Sequence, residues 1–87
     1  MKNWDKNMAL EYHYEAFDSL LTFLQEAHRG GATVKQLATD CGVTEPTIRA
    51  WLNYDVMFPH FKTICKVAFG LGLELRFVTA AEWRKAA

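Results

Sequence analysis

The sequence predicts a mainly α-helical domain with four to five helices and one short C-terminal β-strand. Apolar residues recur at helical spacing in several segments that end at glycines, whereas residues 73–78 alternate with a period of two. The chain has 87 residues, 51% of them hydrophobic and 14% aromatic, which suits a single small domain and excludes disorder. Because so short a chain buries a limited share of its surface, we expect a second subunit to contribute stability.

The first part of the chain is predicted to be an N-terminal arm, residues 1–14, followed by a helix. Within the arm, residues 8–14 alternate in polarity, which favours a strand, although they could instead extend the next helix toward its N-terminus. Residues 15–28 are predicted to be helical and to end at Gly30 and Gly31. The apolar stripe of this helix consists of Phe17, Leu20, Leu21, Leu24 and Ala27.

Residues 33–53 carry the most informative pattern, two short helices joined by a tight turn. Thr33 can cap the first of them, and Gln36 completes a capping box. Gly42 follows directly and can take the positive φ that a sharp turn needs. The apolar positions of this helix are Val34, Leu37, Ala38 and Cys41, the spacing of one buried face.

The second helix of the pair begins at Thr44, a capping residue, with Pro46 in its first turn, where a missing N–H costs nothing. Its apolar side chains are Ile48, Trp51 and Leu52, which are expected to be buried. The other face carries short or polar side chains, as a surface that enters a groove requires.

The spacing of four residues in this pair resembles the helix-turn-helix of the Cro and lambda-repressor-like family of bacterial and phage regulators, also called the xenobiotic-response-element family. Small Ala38 allows the two helices to approach, Gly42 makes the turn, and Val43 and Ile48 seal the joint. The resemblance extends more loosely over about residues 16–72 and implies flanking helices, so residues 15–72 form the expected helical core.

The resemblance implies that the second helix of the pair enters the major groove of double-stranded DNA. Transferred by position in the motif, the base-reading residues are Thr44, Glu45, Pro46, Thr47, Arg49 and Ala50. The residues expected to contact phosphates around the motif are Thr33, Lys35, Asn53, His60 and Lys62.

Arg49 is the side chain expected to make the strongest base contact, because a guanidinium can grip guanine O6 and N7 with two hydrogen bonds. The alternative is a phosphate contact, or an ion pair with Glu45 four residues earlier on the same helix. Two positions depart from the family pattern. Val34 stands where a glutamine is usual, and the loop over residues 54–58 is mostly apolar instead of basic.

The C-terminal part is predicted to hold a fourth helix with Pro59 in its first turn, then a strand and a tail helix. The buried stripe expected for the fourth helix is Phe61, Ile64, Cys65, Ala68 and Leu71. A strand over residues 73–78 needs a partner, which could be residues 8–14, its copy in a second subunit, or both. Thr79 and Glu82 suggest a capping box for the tail helix. Dimerisation is assigned to Leu73, Leu75, Phe77 and Trp83 within the C-terminal segment 73–87.

These observations predict a sequence-specific DNA-binding regulator, most simply a repressor that binds a palindromic operator as a homodimer. The net charge of zero argues against strong non-specific DNA binding. The alternative is an antitoxin or adaptor that uses the scaffold to bind a toxin or other protein. No catalytic set, cofactor motif or metal-ligand spacing is found, so we expect neither enzyme activity nor a bound metal. The two cysteines fit a reducing cytoplasm, and no apolar run is long enough for a membrane span.

Overall fold

The computed structural model describes residues 6–56 and 58–79, with side chains from residue 12 onward. These residues form four α-helices, in the order α1 (Lys6–Arg29), α2 (Val34–Cys41), α3 (Glu45–Leu52) and α4 (Phe61–Gly70). Helix α2 packs against both α3 and α4, and α1 packs against α3. The protein is therefore mainly helical, as predicted. None of the helices in the described part of the chain is long and apolar enough to cross a membrane.

Helix α1 is longer than the sequence predicted, because residues 8–14 extend it at its N-terminus. The strand favoured for these residues is wrong, and the helical alternative is confirmed. Those residues belong to the helix, which runs unbroken from Lys6 to Arg29. A strand there would need a neighbour for its backbone groups, whereas a helix satisfies them within its own turns. The predicted stripe is confirmed for Phe17, Leu20, Leu21 and Leu24, which are buried, and Ala27 is half-buried.

A single apolar cluster lies where the four helices meet. Its buried members are Phe17, Leu20, Leu21, Leu24, Leu37, Ala38, Cys41, Ile48, Trp51, Val67 and Ala68. Complete burial of a large apolar side chain contributes about 1.5–3 kcal/mol, so these contacts dominate the stability of so small a domain. The Cys41 thiol donates to the Val67 carbonyl at 3.7 Å. Burial, and then the charge of Asp40, raises the pKa of the Cys41 thiol, which therefore stays neutral.

The beginnings of α2 and α3 match the predicted caps. The Thr33 hydroxyl accepts from the Gln36 N–H at 3.1 Å, and the Gln36 side chain accepts from the Thr33 N–H at 2.9 Å. The Thr44 hydroxyl accepts from the Thr47 N–H at 3.3 Å, and Pro46 lies in the first turn of α3. These bonds satisfy N–H groups that the helix itself leaves unpaired.

All four helices end in the same way. A residue with positive φ follows each of them, and these residues are Gly31, Gly42, Tyr54 and Gly72. In every case its N–H donates to the carbonyl three residues earlier, and the next N–H donates to the carbonyl five residues earlier, at 2.9–3.3 Å. This is the Schellman motif, in which glycine is the usual left-handed residue. Helix α3 is the exception, because it uses Tyr54.

Helix α4 differs in two ways from its prediction. It begins at Phe61 with His60 as N-cap, so Pro59 precedes the helix instead of lying in its first turn. Phe61 is exposed, and the fully buried side chain is Val67, which was not predicted. Ala68 is buried as expected, whereas Cys65 is only half-buried, as are Ile64 and Leu71 of the same stripe.

The predicted strand over residues 73–78 is not seen. Residues 73–79 form neither helix nor strand, and no described segment lies beside them in a sheet. The reason is that residues 8–14, the partner expected within the chain, are helical, so the described part of one copy offers no edge for pairing. The predicted tail helix and Trp83 lie outside the described residues.

Gly70 is the position at which α4 crosses α2 most closely. A Cβ atom at Gly70 would lie 2.5 Å from the Cα of Cys41, 2.6 Å from its Sγ and 2.7 Å from the Asp40 carbonyl oxygen. Two of these three atoms belong to the backbone, which cannot rotate out of the way. The crossing therefore requires a residue without a side chain.

We expect Gly70→Ala to lower the free energy of unfolding by about 1–3 kcal/mol, because the added methyl group forces α2 and α4 apart. Helix propensity alone would favour alanine by about 1 kcal/mol, so the two effects oppose each other in sign. Urea unfolding followed by circular dichroism measures the difference. The exposed variant Lys66→Ala is the control, and adding Cys41→Ala should not rescue Gly70→Ala. A Gly70→Ala protein as stable as wild type would contradict the close crossing.

We also expect Thr33→Ala to cost about 1 kcal/mol of stability, because the Gln36 N–H loses its acceptor. Thr33→Ser keeps the hydroxyl and should unfold close to the wild-type urea midpoint. Equal midpoints for the alanine and serine variants would show that the capping box does not stabilise the fold.

Candidate nucleic-acid interface

The orientation of α3 is fixed by the side chains that it buries. Ile48 and Trp51 are 0% and 1% exposed, and the Trp51 ring meets the Phe17 ring edge-on at 5.0 Å between centroids. Since successive helical residues are about 100° apart, burial of these two side chains turns the opposite flank outward. That flank carries the exposed residues Thr44, Pro46 and Arg49.

Glu45 and Arg49 pair on the exposed flank. The guanidinium Nη2 lies 3.1 Å from the Glu45 Oε1, and the Arg49 and Glu45 side chains are 58% and 42% exposed. This is the ion-pair alternative that the sequence left open for Arg49. An exposed pair of this spacing contributes only about 0.3–0.5 kcal/mol. It therefore orients the arginine but is weak enough for the guanidinium to bind another partner.

The other four residues predicted to read bases differ in their surroundings. The Thr44 and Thr47 hydroxyls lie 2.9 Å apart and are engaged in the cap of α3. Their role in the folded chain is therefore structural, which the sequence suggested only for Thr44. Pro46 is exposed, and Ala50 is half-buried.

The residues predicted to contact phosphates lie in three places around α3, and all of them are exposed. Thr33 and Lys35 are at the beginning of α2, where Thr33 is already used in the capping box. Asn53 caps the end of α3. His60 and Lys62 lie at the beginning of α4, and the His60 side chain makes no capping hydrogen bond.

An open groove of about 530 Å³ runs between the end of α1 and the end of α3. Its lining comes from α1, α2 and α3 and from the residue that follows α3. The lining residues are Gln25, His28, Arg29, Val34, Arg49, Leu52 and Asn53. Two of these side chains are arginines and none is acidic. Arg49 is paired with Glu45, so the positive charge of the groove comes mainly from Arg29. It brings together Arg49 and Asn53, which the sequence had assigned separately to bases and to phosphates.

Tyr54 ties the end of α3 to α1 beside this groove. Its hydroxyl accepts from the Gln25 amide Nε2 at 2.6 Å, and its φ is 59°. A left-handed conformation costs a non-glycine residue roughly 1–2 kcal/mol, because Cβ crowds the carbonyl oxygen. Among the described residues no other non-glycine has positive φ. Such strain persists where the surrounding structure demands a particular side chain, and it is frequent at functional sites.

The sequence did not predict that Gln25, His28, Arg29 and Tyr54 belong to this region. His28 and Arg29 were noticeable only as basic residues in the last turn of α1. Tyr54 was noticeable only as part of an apolar loop. The His28 Nδ1–H donates to the Ala32 carbonyl at 2.9 Å, which fixes its ring against the turn after α1. Their gathering depends on how α1 packs on α3, and local sequence patterns do not reveal that packing.

We compared the chain with protein-family models, curated proteins and solved structures, and none of them matches it.

Proposed function

We propose that the protein is a sequence-specific DNA-binding regulator with a lambda-repressor-like helix-turn-helix, in which α3 reads the major groove. One observation carries the proposal: α3 is anchored by buried Ile48 and Trp51, while a flank that includes Pro46 and Arg49 faces solvent. A capped helix with a polar, unobstructed flank fits the width of the B-DNA major groove. Its N-terminal half is the part that contacts base edges in this class of motif.

In this proposal Arg49 reads guanine through O6 and N7, and Glu45 holds the arginine in place. A bidentate contact of this kind is worth roughly 1–3 kcal/mol of discrimination, which exceeds the value of the exposed ion pair with Glu45, so that pair orients the guanidinium without keeping it from the base. Glu45 can alternatively accept from cytosine N4. Pro46 and Ala50 offer apolar surface to a thymine methyl group. Thr44 and Thr47 stay engaged in the cap and contribute from the edge of the contact.

The phosphate contacts set the position of α3 without reading sequence. Thr33 and Lys35 lie on one side, at the beginning of α2. His60 and Lys62 lie at the beginning of α4. Because the net charge is zero, these few local contacts, and not a general positive field, must supply the electrostatic attraction.

We propose that the protein acts as a homodimer joined through residues 73–78. Leu73 packs against the core, but Phe69 is 81% exposed, Leu75 50% and Phe77 93%. Such side chains beside one another are typical of a surface that another chain covers. Pairing with a second copy would give residues 73–78 the strand neighbour that they lack within one chain. Binding two half-sites of a palindromic operator requires the two reading helices of such a dimer to lie about 34–36 Å apart, one turn of DNA. Repression, by blocking polymerase at the promoter, is the simplest consequence of binding there.

A second candidate function is binding of a protein such as a toxin, and an aromatic surface favours it. Phe58 is 59% exposed, and its ring stacks on the His13 ring with 5.2 Å between centroids. The Tyr14 ring centroid lies 6.0 Å from that of Phe58. This surface joins α1 to the loop after α3, so it could bind a partner while α3 stays free. A steep fall of DNA affinity with salt favours the regulator, and salt-insensitive capture of a protein favours the adaptor.

We expect Arg49→Ala to weaken binding to the preferred duplex by roughly 1–3 kcal/mol and to relax the preference at one base pair. The preferred duplex is obtained by selecting bound molecules from a randomised DNA library, and affinities are measured by fluorescence anisotropy. The exposed variant Lys66→Ala is the control. An equal loss on every sequence would reassign Arg49 to the backbone, and no loss would remove it from the interface.

We expect Phe77→Glu to convert the dimer into a monomer without unfolding the chain, because the side chain is almost fully exposed in one copy. A buried charge at a subunit contact is strongly unfavourable, whereas an exposed one costs little. Light scattering coupled to gel filtration gives the mass. Lys66→Glu, which adds the same acid on exposed α4 surface, should stay dimeric. A wild-type chain that is monomeric at high concentration would refute this mode of assembly.

A further inference from the structure

The groove between α1 and α3 gathers hydrogen-bond donors from separate elements. Arg29 comes from the end of α1, and Asn53 follows α3. Gln25 lines the same groove and donates to the Tyr54 hydroxyl at its edge. Among the described residues Arg29 forms no ion pair, whereas Arg49 and Arg76 each have a carboxylate partner. Its positive charge is therefore available to an external anion.

The Tyr54 hydroxyl is prepared to act as a donor. Because the Gln25 amide donates to the phenolic oxygen, the hydrogen of that hydroxyl is left for another acceptor. Tyr54 is 62% exposed, so an acceptor can approach from solvent. The other three helices end at glycine, and a glycine after α3 would avoid the backbone strain but would provide no hydroxyl. The strained tyrosine is explained if this hydroxyl has a ligand.

We infer that this groove is a seat for a phosphate group of the DNA backbone, with Arg29, Asn53 and the Tyr54 hydroxyl as donors. The inference rests on the proposed function, because the groove shares Arg49 with the reading flank of α3. Guanidinium, amide and phenol groups are the usual partners of backbone phosphates. The groove is open instead of enclosed, which suits a phosphate carried on a passing strand. The seat would fix the end of α3 against the backbone while its beginning meets the bases.

The test measures binding to a random-sequence duplex by fluorescence anisotropy over a series of salt concentrations. Arg29→Gln should reduce the slope of log affinity against log salt by about 0.9, since one phosphate contact is lost. Arg29→Lys should keep the slope. Tyr54→Phe keeps the charge and the ring, so it should weaken binding about three- to tenfold with the slope unchanged. Lys66→Gln is the matched control for loss of a charge.

The outcomes separate the seat from the proposed function. A wild-type protein that binds the duplex with a steep slope, together with an Arg29→Gln slope equal to that of Lys66→Gln, overturns the seat and leaves the regulator standing. A wild-type protein without salt-dependent duplex binding overturns both. Inorganic phosphate is titrated in parallel and followed by the amide resonances of Asn53 and Tyr54. Saturation by phosphate that the Arg29→Gln change abolishes, with the duplex slope unaffected, would reassign the groove to a free phosphate.

Discussion

The packing of Trp51 against the core fixes the orientation of α3, and with it the direction that the exposed flank of α3 faces. Helix α3 has only eight residues, and isolated helices of that length are not stable in water. It exists because Trp51 and Ile48 are buried against α1 and α2. The edge-on contact of Trp51 with Phe17 then sets its rotation. A shift of one residue would turn the helix by about 100° and would exchange Arg49 with a core position. Stability and presentation of the exposed flank thus depend on the same side chains.

The turns at the helix ends hold this arrangement in place with only a few residues each. Short turns between α1, α2 and α3 leave few ways to connect them, and each turn is closed by two backbone hydrogen bonds, one donated by the left-handed residue and one by the residue after it. Where α4 crosses α2, Gly70 allows the backbones to approach to a distance that no side chain would tolerate. The core is small, so rigidity comes from these closed turns and close crossings as much as from buried area.

Local chemistry explains which parts of the fold could be predicted from the sequence. The capping box at Thr33, the left-handed turn at Gly42 and the cap at Thr44 each depend on residues within one turn of each other, so the sequence displays them directly. The stripe of α1 is equally plain. Residues 8–14 were left open between strand and helix, because so short a segment does not distinguish the two periods, and the helix prevails because its backbone groups are satisfied within its own turns. The strand over residues 73–78 is absent from the single chain because a strand needs a neighbour, and the described residues of one copy provide none.

The candidate site was predictable only in part, for the same reason. The exposed flank of α3 follows from its own spacing. The groove does not, since Arg29 and Gln25 reach α3 only through tertiary packing. Val67 lies at helical spacing with Ile64, Ala68 and Leu71, and it was missed because the predicted stripe was placed further round the helix, through Phe61 and Cys65.

At Tyr54 a backbone conformation that is unfavourable for tyrosine is combined with a side chain that can contact a ligand. A chain optimised only to fold would place glycine after α3, as it does after the other three helices. A tyrosine in this unfavourable backbone geometry is explained if binding of an external ligand to its side chain offsets the strain. The identity of this one residue is therefore a simple marker: in any sequence with the same four-helix arrangement, a tyrosine at this turn would predict a groove that binds a ligand, and a glycine would predict a groove without that donor.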